Sequence, residues 1–398
     1  MSGRDLFCPP RRVRHGAALT LVFASVLVAG AATGSLPEAD RNAAGGTSQA
    51  ARTAGSAGSA AAGADREVAR AAAEAMADGK SPVEAAERAV SRSGDRWGSV
   101  YSQNEYAELE EALDGRYTGV GVSARRERGG AIEVTKVRPG SPAAAAGVRA
   151  GDRLRSVDGE RVDGRPVTEV VSLLRGDATD AAAGSTVRLG LARGTRAWTE
   201  TVRRASLSTQ PVTVRRLASG ASVVRIGSFT KGVGDRVRAA VRDTPSGAGV
   251  VLDLRGNSGG LVTEAVTAAS AFLDGGLVAT YDVDGDQRAL HATDGGDTAR
   301  PLVALVDGGT MSAAELLTGA LQDRGRAVVV GSRTFGKGSV QMPSRLPGGS
   351  VAELTVGHYR TPSGRGVDGT GITPDLEIDP DRAGSVDRAA ALLSGLGR

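Results

Sequence analysis

Three short, predominantly apolar runs, each followed by a glycine-containing loop, constrain the fold of this chain more than any other feature. They are VVLDL at 250–254, PLVALV at 301–306 and AVVVG at 327–331. Runs of this length without polar alternation are typical of strands that are buried on both faces of a sheet. Helical sequence follows over Leu261–Leu273 and again from near Ser312. We therefore predict an α/β core whose functional loops follow the strands.

Composition excludes several classes of function. The chain has 49 basic and 45 acidic residues, and its net charge is +4. The basic residues are scattered among the carboxylates without interleaved aromatics, which argues against nucleic acid as a partner. The single cysteine, Cys8, excludes a disulfide framework in the rest of the chain, and the three histidines show no metal-ligand spacing.

The N-terminus has the pattern of an export signal. Three arginines between positions 11 and 14 precede the uncharged stretch Gly16–Pro37, whose apolar centre is Ala17–Ala32. A basic flank, an apolar centre and small residues after it predict a signal peptide or a signal anchor over 1–37. If the segment is retained, residues 16–37 would anchor the protein in the membrane. Either outcome places the rest of the chain outside the cytoplasm, secreted or membrane-anchored.

The remaining chain divides by composition into four parts. We predict an Ala/Gly/Ser-rich linker at 38–65 and a helical segment at 66–116, followed by a domain at 117–205 and a core at 206–398.

Local signals add detail to two of these parts. The helical segment breaks around Gly79–Pro82, and a capping box at Ser102–Glu105 opens a further helix that ends near Leu113. In the 117–205 domain, strand-like runs surround a helical VTEVVSLLRG, and the Asp158–Gly159 pair predicts a hairpin.

Ser312 and Lys337 are the residues whose surroundings suggest chemistry. Ser312 follows a strand and a turn and precedes a helix, so it is either a helix N-cap with Glu315 as its partner or a nucleophile near helix N–H groups. Lys337 lies between glycines in a chain that has only four lysines. Lysine can lose its proton when desolvated and arginine cannot, so Lys337 is either a general base or a surface lysine in a turn.

A phosphate-binding loop is the alternative for the second of these segments. Residues 331–338, GSRTFGKG, nearly fit the pattern G-x-x-x-x-G-K-[ST], and a strand precedes them. Gly338 replaces the hydroxyl residue that would bind magnesium. The two prolines that follow, Pro343 and Pro347, prevent the helix that such a loop requires.

The combined motifs resemble the carboxyl-terminal processing peptidases, a family of serine peptidases with a Ser–Lys dyad and an inserted PDZ domain. The resemblance covers about Ser99 to Ile378. It is carried by SAAE, TFGKG and a glutamine within Ser312–Gln341, by LDLRGNSGGL at Leu252–Leu261, by HYRTPSGR at His358–Arg365, by GITPDLEI at Gly371–Ile378, and by RPGSPAAAAGVRAGDRLRSVDG at Arg138–Gly159. It implies an α/β catalytic core with a mixed sheet, similar to crotonase and Clp protease, and a PDZ domain at 117–205.

The resemblance also implies roles for individual residues. Ser312 would be the nucleophile, Lys337 the general base and Gln341 the residue that orients the lysine. The N–H groups of Ala313 and Gly259 would bind the oxyanion. The carboxylate-binding loop of the PDZ domain would be YTGVGV, which comprises Tyr117, Thr118, Gly119, Val120, Gly121 and Val122.

The implied activity is that of an exported serine endopeptidase acting on proteins or peptides with free, apolar C-termini. It needs no metal or organic cofactor. Two residues depart from the family pattern: Ala314 replaces the second serine of S-A-S-E, and Ser258 replaces the proline of N-P-G-G. The alternative is a catalytically silent member that only binds peptides, and the presence of Ser312, Lys337 and Gln341 argues against it.

Overall fold

The structure, a computed structural model, describes residues 50–127, 129–176, 183–283, 286–380 and 382–396. The predicted signal segment at 1–37 and Cys8 lie outside these residues. Within them, none of the helices combines the length and the apolar character that crossing a bilayer requires.

The helices of the described chain are α1 (Ala50–Ala77), α2 (Pro82–Ser93), α3 (Gln103–Leu113), α4 (Pro142–Ala145), α5 (Val167–Arg175), α6 (Val233–Arg242), α7 (Val262–Ala269), α8 (Ala313–Asp323) and α9 (Ser385–Leu396), with a 3-10 turn at Pro347–Gly349. The strands are β1 (Ser99–Tyr101), β2 (Arg116–Gly119), β3 (Val122–Arg126), β4 (Ile132–Val137), β5 (Arg153–Val157), β6 (Glu160–Arg161), β7 (Thr186–Arg193), β8 (Arg196–Arg203), β9 (Ala205–Ser208), β10 (Val212–Arg216), β11 (Ser222–Ile226), β12 (Val250–Asp253), β13 (Leu277–Val283), β14 (Asp286–His291), β15 (Leu302–Val306), β16 (Val328–Gly331), β17 (Ser339–Arg345), β18 (Val351–Arg360) and β19 (Leu376–Glu377).

One compact unit is Thr118–Leu207, which nearly coincides with the domain predicted at 117–205. Its sheet has the order β3-β4-β5-β7-β8, all antiparallel, with β6 paired to β5. The β5–β6 hairpin turns at Asp158 and Gly159, both with positive φ, which confirms the hairpin predicted from this dipeptide. Strand β3 is an edge strand of the sheet.

The second unit contains the rest of the described chain, and its central sheet has the order β10-β11-β12-β15-β16-β19. From β11 to β19 the strands are parallel, and every residue of β12 and β15 is buried. The three apolar runs form β12, β15 and β16, as predicted. Helices α6 and α7 pack against each other, as do α7 and α8, and α9 packs against β12 and β15.

An antiparallel sheet completes this unit and connects it to the N-terminal segment. Its order is β1-β18-β13-β14, and β17 also pairs with β18. Strand β1 joins it through the pair Ser99–Glu353, so the chain before the first unit contributes a strand to the core.

The structure corrects one boundary in the N-terminal segment. Residues 38–65 are predicted to be a linker, but α1 begins at Ala50 and continues through this stretch. Alanine has the strongest helix propensity of all residues, and a composition that resembles a flexible linker therefore also favours a helix. The predicted break around Gly79–Pro82 and the capping box at Ser102–Glu105 are both confirmed.

Candidate active site

Ser312 lies where β15, after a short turn, gives way to α8. Its backbone has φ 54° and ψ −118°, an unfavourable conformation for a residue with a side chain. The turn before it is fixed from outside, because Thr310 Oγ1 donates a hydrogen bond to the Leu254 carbonyl. Ser312 is 1% exposed, and its Oγ has no hydrogen-bond partner in the described part of the chain. The hydrogen bond that links Ser312 to the first turn of α8 is donated by its backbone N–H to the Glu315 carboxylate.

Glu315 joins the serine loop to the lysine loop. One carboxylate oxygen accepts hydrogen bonds from the N–H groups of Ser312, at 2.8 Å, and Lys337, at 2.9 Å. The other accepts from Gly336 N–H and Thr334 Oγ1. Burial raises the pKa of Glu315, and these four donors oppose the rise. The sequence predicts Glu315 only as a capping partner. In the structure, its carboxylate also fixes the Lys337 loop next to the Ser312 loop.

Lys337 is buried, with 1% of its surface exposed. Desolvation lowers the pKa of its amine to about 8, although the fields of Glu353, Asp95 and Asp368 oppose this shift. The Nζ atom lies 5.0 Å from the centroid of the Trp97 ring. An amine with a pKa near neutrality can accept a proton at physiological pH, which a surface lysine cannot do efficiently.

Gln341 lies on β17, four residues after Lys337, and is fully buried. Its Nε2 donates hydrogen bonds to Ser339 Oγ at 2.8 Å and to Thr355 Oγ1 at 3.1 Å. Its Oε1 is buried without a partner in the described residues. A buried carbonyl oxygen without a donor is costly, so this atom is an acceptor available to a nearby N–H group.

Gly259 is directly adjacent to the serine. A Cβ atom at this position would lie 3.0 Å from Ser312 Cβ and 3.3 Å from Ala313 N. Ala313 is the first residue of α8, where the helix offers its N–H no acceptor. The N–H of Gly259 donates to Asn257 Oδ1 at 2.9 Å. The structure thus brings both predicted oxyanion donors to Ser312, but the donor of Gly259 is occupied.

Two residues of the N-terminal segment belong to this site, although the sequence reasoning does not include them. Trp97 packs edge-on against Phe335, with ring centroids 5.8 Å apart, and faces Lys337. Asp95 accepts hydrogen bonds from the N–H and Oγ1 of Thr355, at 2.7 and 2.8 Å. The sequence offers only a weak indication that these residues belong to the site: Trp97 is one of two tryptophans in the chain.

Glu353 is a further buried carboxyl that the sequence reasoning does not include. It lies on β18 with no exposed surface, and neither carboxyl oxygen has a hydrogen-bond partner in the described chain. Desolvation raises its pKa to about 7, against the opposing field of Lys337. A single charged residue in the mostly apolar strand sequence VAELTV is the signal that could have identified it.

The YTGVGV segment, predicted to be the carboxylate-binding loop, connects β2 to β3. Tyr117, Thr118 and Gly119 end β2, Val120 and Gly121 form the loop, and Val122 begins β3. The carbonyls of Val120 and Gly121 accept hydrogen bonds from Ala143 and Arg138. Among the described residues, the N–H groups of Val120 and Gly121 have no acceptor.

Comparison with known proteins gives the family. Residues 220–378 match peptidase family S41, and residues 133–193 match a PDZ domain. The carboxy-terminal-processing protease of Bartonella bacilliformis is 32% identical over 71% of this chain and 67% of its own length. This chain belongs to the S41 carboxyl-terminal processing peptidases. The resemblance found in the sequence is thereby confirmed.

Further comparisons of sequence and structure support the same family. The chloroplastic C-terminal processing peptidase of Tetradesmus obliquus is 35% identical over 69% of this chain, which spans 63% of that protein's length. Among solved structures, the photosystem II D1 C-terminal processing protease has a TM-score of 0.50 and 30% identity, with 80% of this chain and 86% of that one covered. An S41 protease from Bacteroides fragilis, at 20% identity and TM-score 0.53, shows the same fold.

The predicted fold class is confirmed as an S41 peptidase fold with a PDZ domain, mixed α/β sheets and an N-terminal helical segment. The S41 match begins at residue 220, so Trp97 and Asp95 lie outside it, whereas Glu353 lies within it.

Proposed function

We propose that this chain is an exported serine endopeptidase that recognises protein C-termini through its PDZ domain and cleaves peptide bonds with Ser312 and Lys337. One observation supports the chemistry above all others. Lys337 is buried with its pKa lowered to about 8, and Ser312 is buried with an Oγ that has no partner among the described residues; the backbone N–H groups of both donate to the same oxygen of the Glu315 carboxylate. Export is supported by the basic and apolar sequence within 1–37.

Acylation begins with the neutral amine of Lys337. The Ser312 Oγ attacks the scissile carbonyl carbon while Lys337 Nζ accepts the hydroxyl proton, which gives a tetrahedral oxyanion. The N–H of Ala313 donates to this oxyanion, and Gly259 supplies a second N–H once its bond to Asn257 is broken. The lysine ammonium then gives its proton to the leaving amine as the C–N bond breaks.

Deacylation repeats these steps with water. Lys337 takes a proton from the water that attacks the acyl-enzyme ester, and returns it to Ser312 Oγ as the new carboxylic acid leaves. Gln341 Oε1 accepts a hydrogen bond from the amine and keeps its lone pair directed at the reacting oxygen. No charge has to enter or leave the site during this cycle.

Substrate recognition in the PDZ domain is supported by the surroundings of β3. This strand is at the sheet edge, it follows the YTGVGV loop, and α5 packs against it. A peptide can add to such an edge as a further strand, with its terminal carboxylate on the N–H groups of Val120 and Gly121. Apolar C-terminal side chains suit the apolar residues between β3 and α5, which include Val122 and Val170.

Two substitutions test the mechanism. Ser312→Ala should abolish cleavage of a tailed test protein, whereas a capping serine would lose only about 0.5–2 kcal/mol of stability and keep the activity. Lys337→Arg keeps the charge but cannot give up a proton near neutral pH, so it should be nearly as inactive as Lys337→Ala. The measurement is single-turnover cleavage followed by mass spectrometry, with circular dichroism to establish folding.

His291→Gln and His358→Gln serve as controls, because a histidine-based mechanism would be sensitive to them and the proposed one is not. The His358 side chain is 55% exposed and lies 3.7 Å from Asp368. Full turnover by Ser312→Ala, or substantial activity of Lys337→Arg, would exclude the dyad.

A further inference from the structure

The loop Gly94–Gly98 connects α2 to β1 and contacts the peptidase site with two of its three central side chains. It precedes the S41 match by more than a hundred residues of sequence. Its Asp95 bonds to Thr355, which bonds to Gln341, and its Trp97 faces the amine of Lys337. Two separate contacts therefore lead from one loop to the two residues that would act on the serine proton.

The contact through Asp95 determines which way the Gln341 amide points. A carboxylate only accepts hydrogen bonds, so the single proton of the Thr355 hydroxyl is committed to Asp95 Oδ1, at 2.8 Å. Thr355 Oγ1 can then only accept from Gln341, which must present its Nε2 there. Gln341 Oε1 is consequently directed away from this contact, where it is buried and free to accept from an amine.

The contact through Trp97 controls the solvation of the lysine. The indole ring lies 5.0 Å from Lys337 Nζ and is supported by the edge of Phe335. A ring face attracts an ammonium, which favours the charged amine, while exclusion of water favours the neutral one. Desolvation is the largest influence on the pKa of this lysine, and the Trp97 ring is part of the surroundings that exclude water from its amine.

We propose that the Gly94–Gly98 loop is a positioning element of the peptidase site: Asp95 orients Gln341 through Thr355, and Trp97 covers the amine of Lys337 and excludes water from it. This inference rests on the proposed role of Lys337 as the base. The loop therefore affects two properties of Lys337: the orientation of its amine and the pH at which that amine becomes neutral.

The charged groups around Lys337 contribute to the pKa that a pH–rate profile would report. Glu353, Asp95 and Asp368 each favour the ammonium, and the guanidinium of Arg96 lies 4.8 Å from the Trp97 ring centroid. Loss of Asp95 would change charge and geometry together. Substitutions at Thr355 and Trp97 are therefore cleaner, because they leave all of these charges in place.

The first test separates geometry from proton affinity. Thr355→Val removes the hydroxyl and should lower the cleavage rate at its alkaline plateau about tenfold or more, without moving the pH midpoint. Thr355→Ser restores the hydroxyl and should recover most of that rate. An unchanged plateau in Thr355→Val would overturn the role of Asp95 and Thr355.

The second test concerns the Trp97 ring that covers the Lys337 amine. Trp97→Ala should move the midpoint of the rate profile to higher pH by about one unit, which is about a tenfold loss at neutral pH, with the plateau largely kept. Trp97→Phe retains a ring and should shift less. Trp198→Ala is the matched control, because Trp198 also lies near cations, Arg193 and Arg196, but belongs to the other unit. Superimposable profiles for Trp97→Ala and the wild type would overturn this half of the proposal.

A third measurement does not depend on activity or on the folding of a Trp97 variant. In Trp198→Phe protein, Trp97 is the only tryptophan, and its fluorescence should change with a midpoint near pH 8 as the neighbouring ammonium loses its proton. The additional substitution Lys337→Met should remove this titration, and a titration that persists would overturn the contact. An active Lys337→Arg enzyme overturns the dyad and this inference together, whereas an inactive one with an unchanged Trp97→Ala profile overturns only the inference.

Discussion

At the scale of single residues, the site contains two buried ionisable groups whose pKa values are shifted toward each other. Burial lowers the pKa of Lys337 to about 8 and raises that of Glu353 to about 7. Each group also favours the charged form of the other. The Glu353 oxygens have no hydrogen-bond partner in the described chain, and because desolvation outweighs their field, the lysine can become neutral at a pH where an ordinary lysine stays charged.

Glu353→Gln should move the rate profile to lower pH. The ionised carboxylate raises the pKa of Lys337, so a neutral amide of the same shape lets the lysine lose its proton earlier. This shift of the rate profile should appear above about pH 7, where Glu353 is ionised in the wild type. We expect a shift of about half a unit, or roughly a threefold higher single-turnover rate between pH 7 and the midpoint of the wild-type profile. Tyr101 and Tyr106, which also face Glu353, stay neutral there, because the ordinary tyrosine pKa is about 10 and burial raises theirs further.

The exposed Glu377 on β19 supplies the control for that experiment. Glu377→Gln makes the same chemical change far from burial and should leave the profile in place. A Glu353→Gln profile that moves to higher pH would contradict the assignment.

At the scale of elements, the decisive features are loops that are fixed between strands and helices. Ser312 sits at the strained start of α8, and Lys337 lies in the loop before β17. Neither element alone orients its residue, and Glu315 on α8 joins them by accepting hydrogen bonds from both loops. In the other unit, the YTGVGV loop leads into the edge strand β3, the position from which a peptide can extend a sheet.

Gly121→Ala should abolish binding of a peptide with a free C-terminus. Gly121 has φ 83°, and a Cβ there would lie 2.3 Å from Ser141 Cβ, so the loop would have to move. Gly147→Ala pays a similar backbone cost of about 1–2 kcal/mol, since its φ is 76°, but nothing lies within 4 Å of the added atom. Binding measured by fluorescence anisotropy should therefore be lost in Gly121→Ala and kept in Gly147→Ala. Equal affinities in the two variants would exclude the loop as a carboxylate site.

At the scale of the whole molecule, the chain combines a PDZ unit at Thr118–Leu207 with an S41 peptidase unit formed by the sequence on both sides of it. The peptidase unit is therefore assembled from distant parts of the chain: β1 pairs with β18, and Asp95 bonds to Thr355. Insertion of one domain into another is tolerated where the ends of the inserted domain lie close together, as they do at the paired strands β2 and β9.

Cleavage by the intact enzyme should depend on the chemistry of the substrate's C-terminus. An amidated tail cannot place a carboxylate on the N–H groups of the YTGVGV loop, so we expect it to be bound at least tenfold more weakly and cut more slowly at limiting concentration. Free-acid and amidated versions of one peptide would be compared by mass spectrometry with the full chain. Equal binding and cleavage would refute recognition of C-termini by the PDZ domain.

Local chemistry in the sequence was sufficient to predict much of this protein. The apolar runs at 250–254, 301–306 and 327–331 form parallel strands, and a central position in a sheet that is covered on both faces buries such segments. The motifs around Ser312 and Lys337 gave the family. Local composition was misleading in the Ala-rich stretch that is part of α1, because such a composition is compatible with both a flexible linker and a helix.

Tertiary structure alone decided which groups surround the lysine. Asp95 and Trp97 are more than two hundred residues from Lys337 in sequence, and Glu353 reaches it from a neighbouring strand. No periodicity or motif encodes such contacts, because they arise only when the N-terminal segment adds β1 to the antiparallel sheet. The sequence determined which residue could act as the base. The folded chain determined its pKa, because desolvation and nearby charges exist only after these distant segments have packed together.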